Sequence, residues 1–286
     1  RAEHHATLDA IEWLVDQGLA TVRWVEVDRE GVCDLDDLAR ALEEYPAGQI
    51  AGVTTLVANN EVGSIQPVAK IAELARAQGV SVHLDAIQAF GHIDLPIRQW
   101  GVDAVSLSAH KIGGPVGIGA LVVTRTAASI EGLHHGGGQQ LHRSGTLDAA
   151  GAVAFARAVQ LTEASREGEQ ERLRGLSDTL REGLVTAAAG VRATGHPTNR
   201  LAHIVHVTVA DCEGDVMLFL LDARGIHVST GSACQAGVAE PSHVLLAMGY
   251  TPSEARGALR LSLGPQTTAE DIDAVIAAFP DVVESA

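Results

Sequence analysis

An α/β fold is predicted: a large first part built on a mostly parallel sheet covered by helices, then a smaller α/β unit. Three observations carry it. Short β-branched runs bounded by Gly, Asp or Asn alternate with helical stretches through the first half of the chain. A long Ala-, Glu- and Arg-rich tract follows, and strands and helices resume beyond it. The 286 residues, 46% of them apolar, suffice for two cores, on a prior of roughly 150 residues per domain.

In order, His5 to Leu19 reads as a helix, Thr21–Val27 as a strand and Leu35–Tyr45 as a helix. Ile50–Val57 reads as a strand and Val68–Gln78 as a helix. Val80–Leu84, Ala104–Ser108 and Gly119–Val123 read as three further strands. A Gly- and His-rich loop, Leu133 to Gln140, precedes a helical stretch from Leu147 to Ala189, with a break near Glu167. The smaller unit then comprises a strand at Ile204–Val209, a helix at Asp215–Ala223, a strand at Leu259–Leu263 and a closing helix at Ala269–Ala278. The expected boundary falls inside the long helix, giving domains 1–160 and 161–286.

Composition excludes several function classes. A net charge of −16 argues against a nucleic-acid surface and for a soluble, cytoplasmic chain. No apolar run approaches the roughly 20 residues of a membrane helix. Cys33, Cys212 and Cys234 form no CxxC pair, which points to reduced thiols in a reducing compartment. His134, His135 and His142 cluster, but without Cys or acidic partners at zinc spacing, so no metal is expected.

Of the 20 Lys and Arg residues only Lys70 and Lys111 are lysines. Arg does not deprotonate in proteins, whereas Lys can and then acts as an amine nucleophile. Lys70 sits among apolar residues at helical spacing and reads as solvated. Lys111 follows the apolar run Ala104–Leu107 in a Gly- and Pro-bearing loop, the kind of place where α/β folds present reactive groups. Asp85 ends another apolar segment, so adjacent parallel strands would place both residues on one rim. A Lys that forms a Schiff base and an Asp that holds a pyridinium are what pyridoxal 5'-phosphate (PLP) requires. The pair alone also reads as a surface salt bridge or as unrelated loop residues.

Other candidates carry similar alternatives. Asn59-Asn60-Glu61-Val62-Gly63 is a turn by composition on the same expected rim. Cys234 lies in a small, polar, Gly-bearing stretch and reads as an exposed thiol nucleophile or an incidental cysteine. Arg260 alternates with apolar residues on a strand, either aimed at a substrate carboxylate or on a solvated face. His4 and His5 open a helix and read locally as first-turn polar residues.

In chain order, Glu3-His4-His5, Asn59-Asn60-Glu61-Val62-Gly63, Asp85-Ala86-Ile87-Gln88, Ser108-Ala109-His110-Lys111, His135-Gly136-Gly137-Gly138, Arg143-Ser144-Gly145-Thr146, Gly231-Ser232-Ala233-Cys234 and Arg260-Leu261-Ser262-Leu263-Gly264 resemble one family. It is the cysteine desulfurases of the class V aminotransferase group, with the type I fold of PLP-dependent transferases. The resemblance implies that Lys111 bonds the cofactor and shuttles a proton, that Asp85 pairs with the ring nitrogen, and that Gln88 bonds the phenolic oxygen. It implies that His4 stacks on the ring and that Asn60 sits near the phenolic oxygen and the substrate carboxylate, which Arg260 binds. Ser108 and His110 would contact the cofactor phosphate, and Thr146 that of the other subunit of a homodimer. Cys234 would take the sulfur of L-cysteine as a persulfide, leaving L-alanine.

The run from Cys234 to Glu240-Pro241-Ser242-His243 resembles the longer-loop branch, associated with direct sulfur delivery to scaffold and carrier proteins; iron–sulfur cluster assembly, tRNA thiolation and cofactor synthesis all draw on such persulfides. Family members carry an N-terminal portion before the Glu-His motif, with a Gly/Thr-bearing helix start that binds the phosphate. The expectation is therefore an excerpt or a truncated chain with weakened PLP binding. Alternatives are a selenocysteine lyase, an aminotransferase, or a non-catalytic remnant that only dimerises or binds a partner.

Overall fold

Helix α1 (His5–Asp16) begins at His4, whose Nδ1 accepts from the Ala6 N–H at 3.1 Å. It ends before the expected Leu19 because Gly18 turns left-handed, with φ of 67°. The N–H groups of Gly18 and Leu19 then fold back onto the carbonyls of Val15 and Leu14, at 2.9 and 3.0 Å. The computed structural model describes residues 1–46, 48–124, 132–137, 142–231 and 240–286.

The expected strand at Thr21–Val27 is not one. Among the described residues its ladder contact is a single bridge from Val27 to Cys33. Asp37 on α2 (Leu35–Glu43) takes the place of a neighbouring strand. Its carboxylate accepts from the Glu26 N–H at 2.9 Å and pairs with the Arg23 guanidinium at 2.8 Å. The Arg23 hydrogen bond, more than any other interaction, holds the Asp37 carboxyl below the usual carboxylate range.

Contacts group the described residues into two units, and α5 (Ala149–Ala187) contributes to both. One unit holds Glu44–Val57 and Val68–Arg166. Its sheet has the order β1 (Val53–Leu56), β2 (Val82–Asp85), β3 (Ala104–Ser108), β4 (Gly119–Val123). The first three strands are parallel, so their carboxyl ends share one rim. Strand β4 runs antiparallel to β3, since the short return from Ile112 to Gly119 leaves no room for a crossover helix. Helix α3 (Val68–Ala77) buries Val68, Ile71, Ala72 and Ala75, a stripe at helical spacing. Lys70 stands outside that stripe and pairs with Glu73 at 2.8 Å. The short α4 (Ile97–Trp100) leads into β3.

The break expected in the long helix near Glu167 is absent. Ion pairs Glu163–Arg166 and Glu169–Arg172 flank that point at 3.0 and 2.8 Å, and such pairs support continuity. Leu173, Leu180 and Leu184 form a buried stripe farther along.

The other unit holds Arg1–Glu43, Ala58–Pro67 and Glu167–Ala286. Its antiparallel sheet is β5 (Val191–Ala193), β6 (Ile204–Val209), β7 (Ala258–Ser262), with β6 central and buried along its whole length. Alternation sends Val205, Val207 and Val209 into one core, with the α5 leucines, Met217 and Leu221 of α6 (Gly214–Asp222) and Phe279 of α9 (Ala269–Ser285). Ile204, His206 and Thr208 take the opposite face. A second cluster joins Val62 to Val244 and Leu245 of α7 (His243–Ala247), Met248, and Ala255 of α8 (Pro252–Arg256).

Two capping boxes start α8 and α9, Thr251 with Glu254 and Thr268 with Asp271. Helix α9 continues past the expected Ala278 and through Pro280, because fully buried Phe279 and Val282 hold its last turns. Among the described residues no helix is long and apolar enough to cross a membrane.

Candidate active site

In the unit that carries the four-stranded sheet, Asp85 ends β2 and is almost fully buried. One carboxylate oxygen accepts from the Ile87 N–H at 3.0 Å, which turns the chain off the strand. Asp85 is the register partner of Ser106 on β3. Two residues further on, Ser108 ends β3, and a single 3-10 turn, Ala109–Ile112, follows. That turn places His110 and Lys111 on the rim, both exposed, while Ala109 and Ile112 anchor it in a core with Phe155 and Ala158. Gly113 closes the turn at φ of 77°, a conformation costly for any side chain.

Ser108 Oγ and His110 Nδ1 lie 2.6 Å apart. Behind the rim, His83 shares the face of Asp85 and bridges its neighbours, with Nδ1 at 2.8 Å from Thr54 Oγ1 and Nε2 at 2.8 Å from Ser106 Oγ. Burial pushes the His83 imidazole below its ordinary pKa, with the Asp85 carboxylate acting the other way. Gln88 is half-buried in the turn after β2, and Thr146 is exposed in the segment before α5.

In the other unit, the turn after Ala58 is organised by the amide of buried Asn59. Its Oδ1 accepts from the N–H groups of Glu61 and Val62, at 2.8 and 3.0 Å, and its Nδ2 donates to the Ala2 carbonyl at 3.0 Å. That last bond fastens the segment leading to His4 onto the turn. His243 Nε2 reaches the Glu3 carbonyl at 2.9 Å, and the rings of His5 and His243 pack with centroids 4.7 Å apart.

Arg260, on β7, donates from Nη1 to the Asn60 carbonyl at 3.0 Å. Its Nε and the Asn60 Oδ1 are buried with no hydrogen-bond partner among the described residues. Burial lowers the Arg260 pKa, with Glu61 opposing. His206 is the register partner of Arg260. Its Nδ1 is hydrogen-bonded to Thr194 Oγ1, while Nε2 is buried and has no partner among the described residues. Burial first, and the Arg260 charge second, push its pKa down to about 3.

The side chains present fit PLP and an amino-acid substrate. One rim offers a buried carboxylate for a protonated ring nitrogen, an exposed amine, and a hydroxyl–imidazole pair that can meet a phosphate. The other unit offers Arg260 Nε, an unsatisfied buried donor suited to a carboxylate. The family model described as aminotransferase class-V matches residues 1–275.

The chain belongs to the class-V aminotransferase family. It is 44% identical over 285 residues to an IscS-like cysteine desulfurase of Mycobacterium tuberculosis, covering 99% of this chain and 72% of that protein. It is 40% identical over 283 residues to the cysteine desulfurase IscS of Methanosarcina thermophila, covering 99% and 68%. Among solved structures, a NifS-like protein from Rickettsia africae superposes with a TM-score of 0.88 at 26% identity, over 99% of this chain and 74% of that one. The fold is accordingly that of the type I PLP-dependent transferases, as the motifs implied.

Within this class-V chain, Asp85, Ser108, His110 and Lys111 meet on one rim. Asn60, Arg260 and the segment of His4 meet around one turn. Cys234 and Gly138 lie outside the described residues. Three site neighbours escaped the sequence reading: His83, His206 and the role of Glu61. Each histidine stands between apolar residues of a strand, His83 between Val82 and Leu84 and His206 between Val205 and Val207, and that position is the signal that could have found them.

Proposed function

We propose that this chain is a PLP-dependent cysteine desulfurase that converts L-cysteine to L-alanine and carries the sulfur as a persulfide on Cys234. The observation that carries the reading is the parallel register of β2 and β3, which brings the carboxylate of Asp85 and the amine of Lys111 to one rim. When bound, PLP supplies an electron sink for the bonds broken at the substrate's carbons.

The residues divide the remaining work. Asp85 would keep a proton on the ring nitrogen, Gln88 and Asn60 would bond the phenolic oxygen, and His4 would stack on the ring. Ser108 and His110 would hold the phosphate, and Thr146 would serve that of the partner subunit in a homodimer. Arg260 binds the substrate carboxylate, and Lys111 Nζ takes the α-proton and returns a proton to the product carbon. The Cys234 thiolate would attack the substrate sulfur, so that an S–S bond forms as the C–S bond breaks; the bonding pair stays on the substrate's β-carbon, which takes up the proton given up by the Cys234 thiol, and alanine departs. The persulfide then passes to a scaffold or carrier protein. A cytoplasmic location and the domain division 1–160 and 161–286 belong to the same proposal.

The test is borohydride reduction of the chain incubated with PLP, followed by peptide mapping, together with assays of Cys234→Ala. A pyridoxyl group on Lys111 and not on Lys70, with persulfide lost but the adduct kept in Cys234→Ala, supports the reading. Undiminished alanine and sulfide release by Cys234→Ala overturns it.

A further inference from the structure

Glu61 has no part in the chemistry just described, yet it is 2% exposed, in the turn whose Asn60 carbonyl accepts from Arg260. A carboxylate is seldom buried so deeply unless its surroundings use it. One hydrogen bond, one close backbone approach and one neighbouring charge surround it. Ser242 Oγ donates to Glu61 Oε2. Gly231, at φ of 88°, approaches so closely that a β-carbon there would lie 2.9 Å from the same oxygen. Arg260 feels the carboxylate as a stabilising charge, and its guanidinium is bonded to the backbone of Asn60, the residue before Glu61.

Gly231 and Ser242 stand on either side of Cys234 in the sequence. Each is also fixed independently of Glu61. The Gly231 N–H lies 3.3 Å from Ser229 Oγ, and Ser229 pairs with Arg260 through backbone hydrogen bonds of 2.7 and 3.0 Å. Ser242 caps α7, its Oγ accepting from the Leu245 N–H at 3.2 Å. One buried oxygen thus meets both flanks of the thiol-bearing segment and lies in the turn that holds the carboxylate-binding arginine.

We infer that Glu61 is a positioning residue that clasps the two flanks of the Cys234 segment to the Asn60–Arg260 substrate subsite. The inference rests on the desulfurase reading only for the use to which Cys234 is put; the clasp itself is a property of the unliganded chain. It fits a glycine at 231, where φ is 88° and a β-carbon would press on the carboxylate, and a hydroxyl at 242, which donates to it.

The test is the alkylation rate of each cysteine by iodoacetamide in the PLP-free chain, read by peptide mass mapping. Cys33 and Cys212 are internal controls, since burial pushes the Cys33 thiol up to about 12 and also raises that of Cys212. Glu61→Ala is expected to accelerate alkylation of Cys234 by about fivefold or more, the effect of removing roughly 1 kcal/mol of local restraint. The controls should not change. Glu61→Gln keeps an acceptor for Ser242 and should stay close to the parent. Ser242→Ala, which leaves Glu61 in place, should reproduce the acceleration and serves where Glu61→Ala fails to fold. Unchanged Cys234 rates in both alanine variants, or equal acceleration of all three cysteines, overturn the clasp. Loss of desulfurase activity in the parent chain with a selective Cys234 response would instead overturn the functional reading and leave the clasp standing.

Discussion

His206 and Arg260 stand opposite each other as register partners on β6 and β7, a buried neutral imidazole beside a half-buried guanidinium. With its folded pKa near 3 and an ordinary value of 6.5, His206 takes up no proton in the fold over a range where the unfolded chain does. Its contribution is complete above pH 6.5 and is lost as the pH falls toward 3, by about 1.4 kcal/mol per pH unit at most. Denaturant unfolding of the parent and of His206→Gln between pH 7 and pH 4.5 checks this. A shallower acid loss in the variant is expected; identical slopes would mean that His206 is protonated in the fold.

Arg260→Lys removes the planar fork and its bond to the Asn60 carbonyl while keeping a positive charge. The expected loss is on the order of 1.5–3 kcal/mol of transition-state binding, or about 10- to 100-fold in kcat/KM for L-cysteine. If, as proposed, Arg260 contacts a substrate carboxylate that does not react, KM should rise by more than kcat falls. Steady-state alanine formation reads the split.

Asp85→Asn is a near-isosteric change that keeps an oxygen to accept from the Ile87 N–H, so the fold should survive. The lost negative charge should lower kcat by roughly 10²- to 10³-fold, the usual scale for removing one preorganised electrostatic partner. Circular dichroism and single-turnover alanine formation together test it. A variant with parental kcat would remove Asp85 from the site.

Arg200 is buried among Ser177 Oγ at 3.1 Å and the Ile204 carbonyl at 3.3 Å, and is paired with Asp178. Burial pulls its pKa down to about 10, still far above neutrality. Arg200→Ala should destabilise the chain by about 3–5 kcal/mol, through lost packing and unsatisfied neighbours. Urea unfolding measures it, and a loss under 1 kcal/mol would mean that the guanidinium's desolvation cancels its bonds.

The readable part of the fold was the part governed by local period. The α3 stripe follows from helical spacing and strands β2, β3 and β6 from short β-branched runs, and the motif strings identified the family that the match over residues 1–275 establishes. Thr21–Val27 misled because its apolar alternation is real but its hydrogen bonds go to Asp37, a partner on a later helix that no local window contains. The antiparallel sense of β4 depends on the length of a return loop. Of the candidate site, the candidate residues stood out by type, such as Lys111 in a chain whose basic residues are otherwise nearly all arginines. Glu61 did not, since its contacts come from Gly231 and Ser242, far away in sequence.

The ion pair that occupies Lys70 on the surface of α3 has a practical corollary for spectroscopy. Feeding lysine labelled at the side-chain nitrogen would give a protein with two such resonances, and Lys70→Arg, which preserves the pairing with Glu73, would erase one of them. The remaining signal would report the protonation and covalent state of Lys111 alone, on an otherwise silent background.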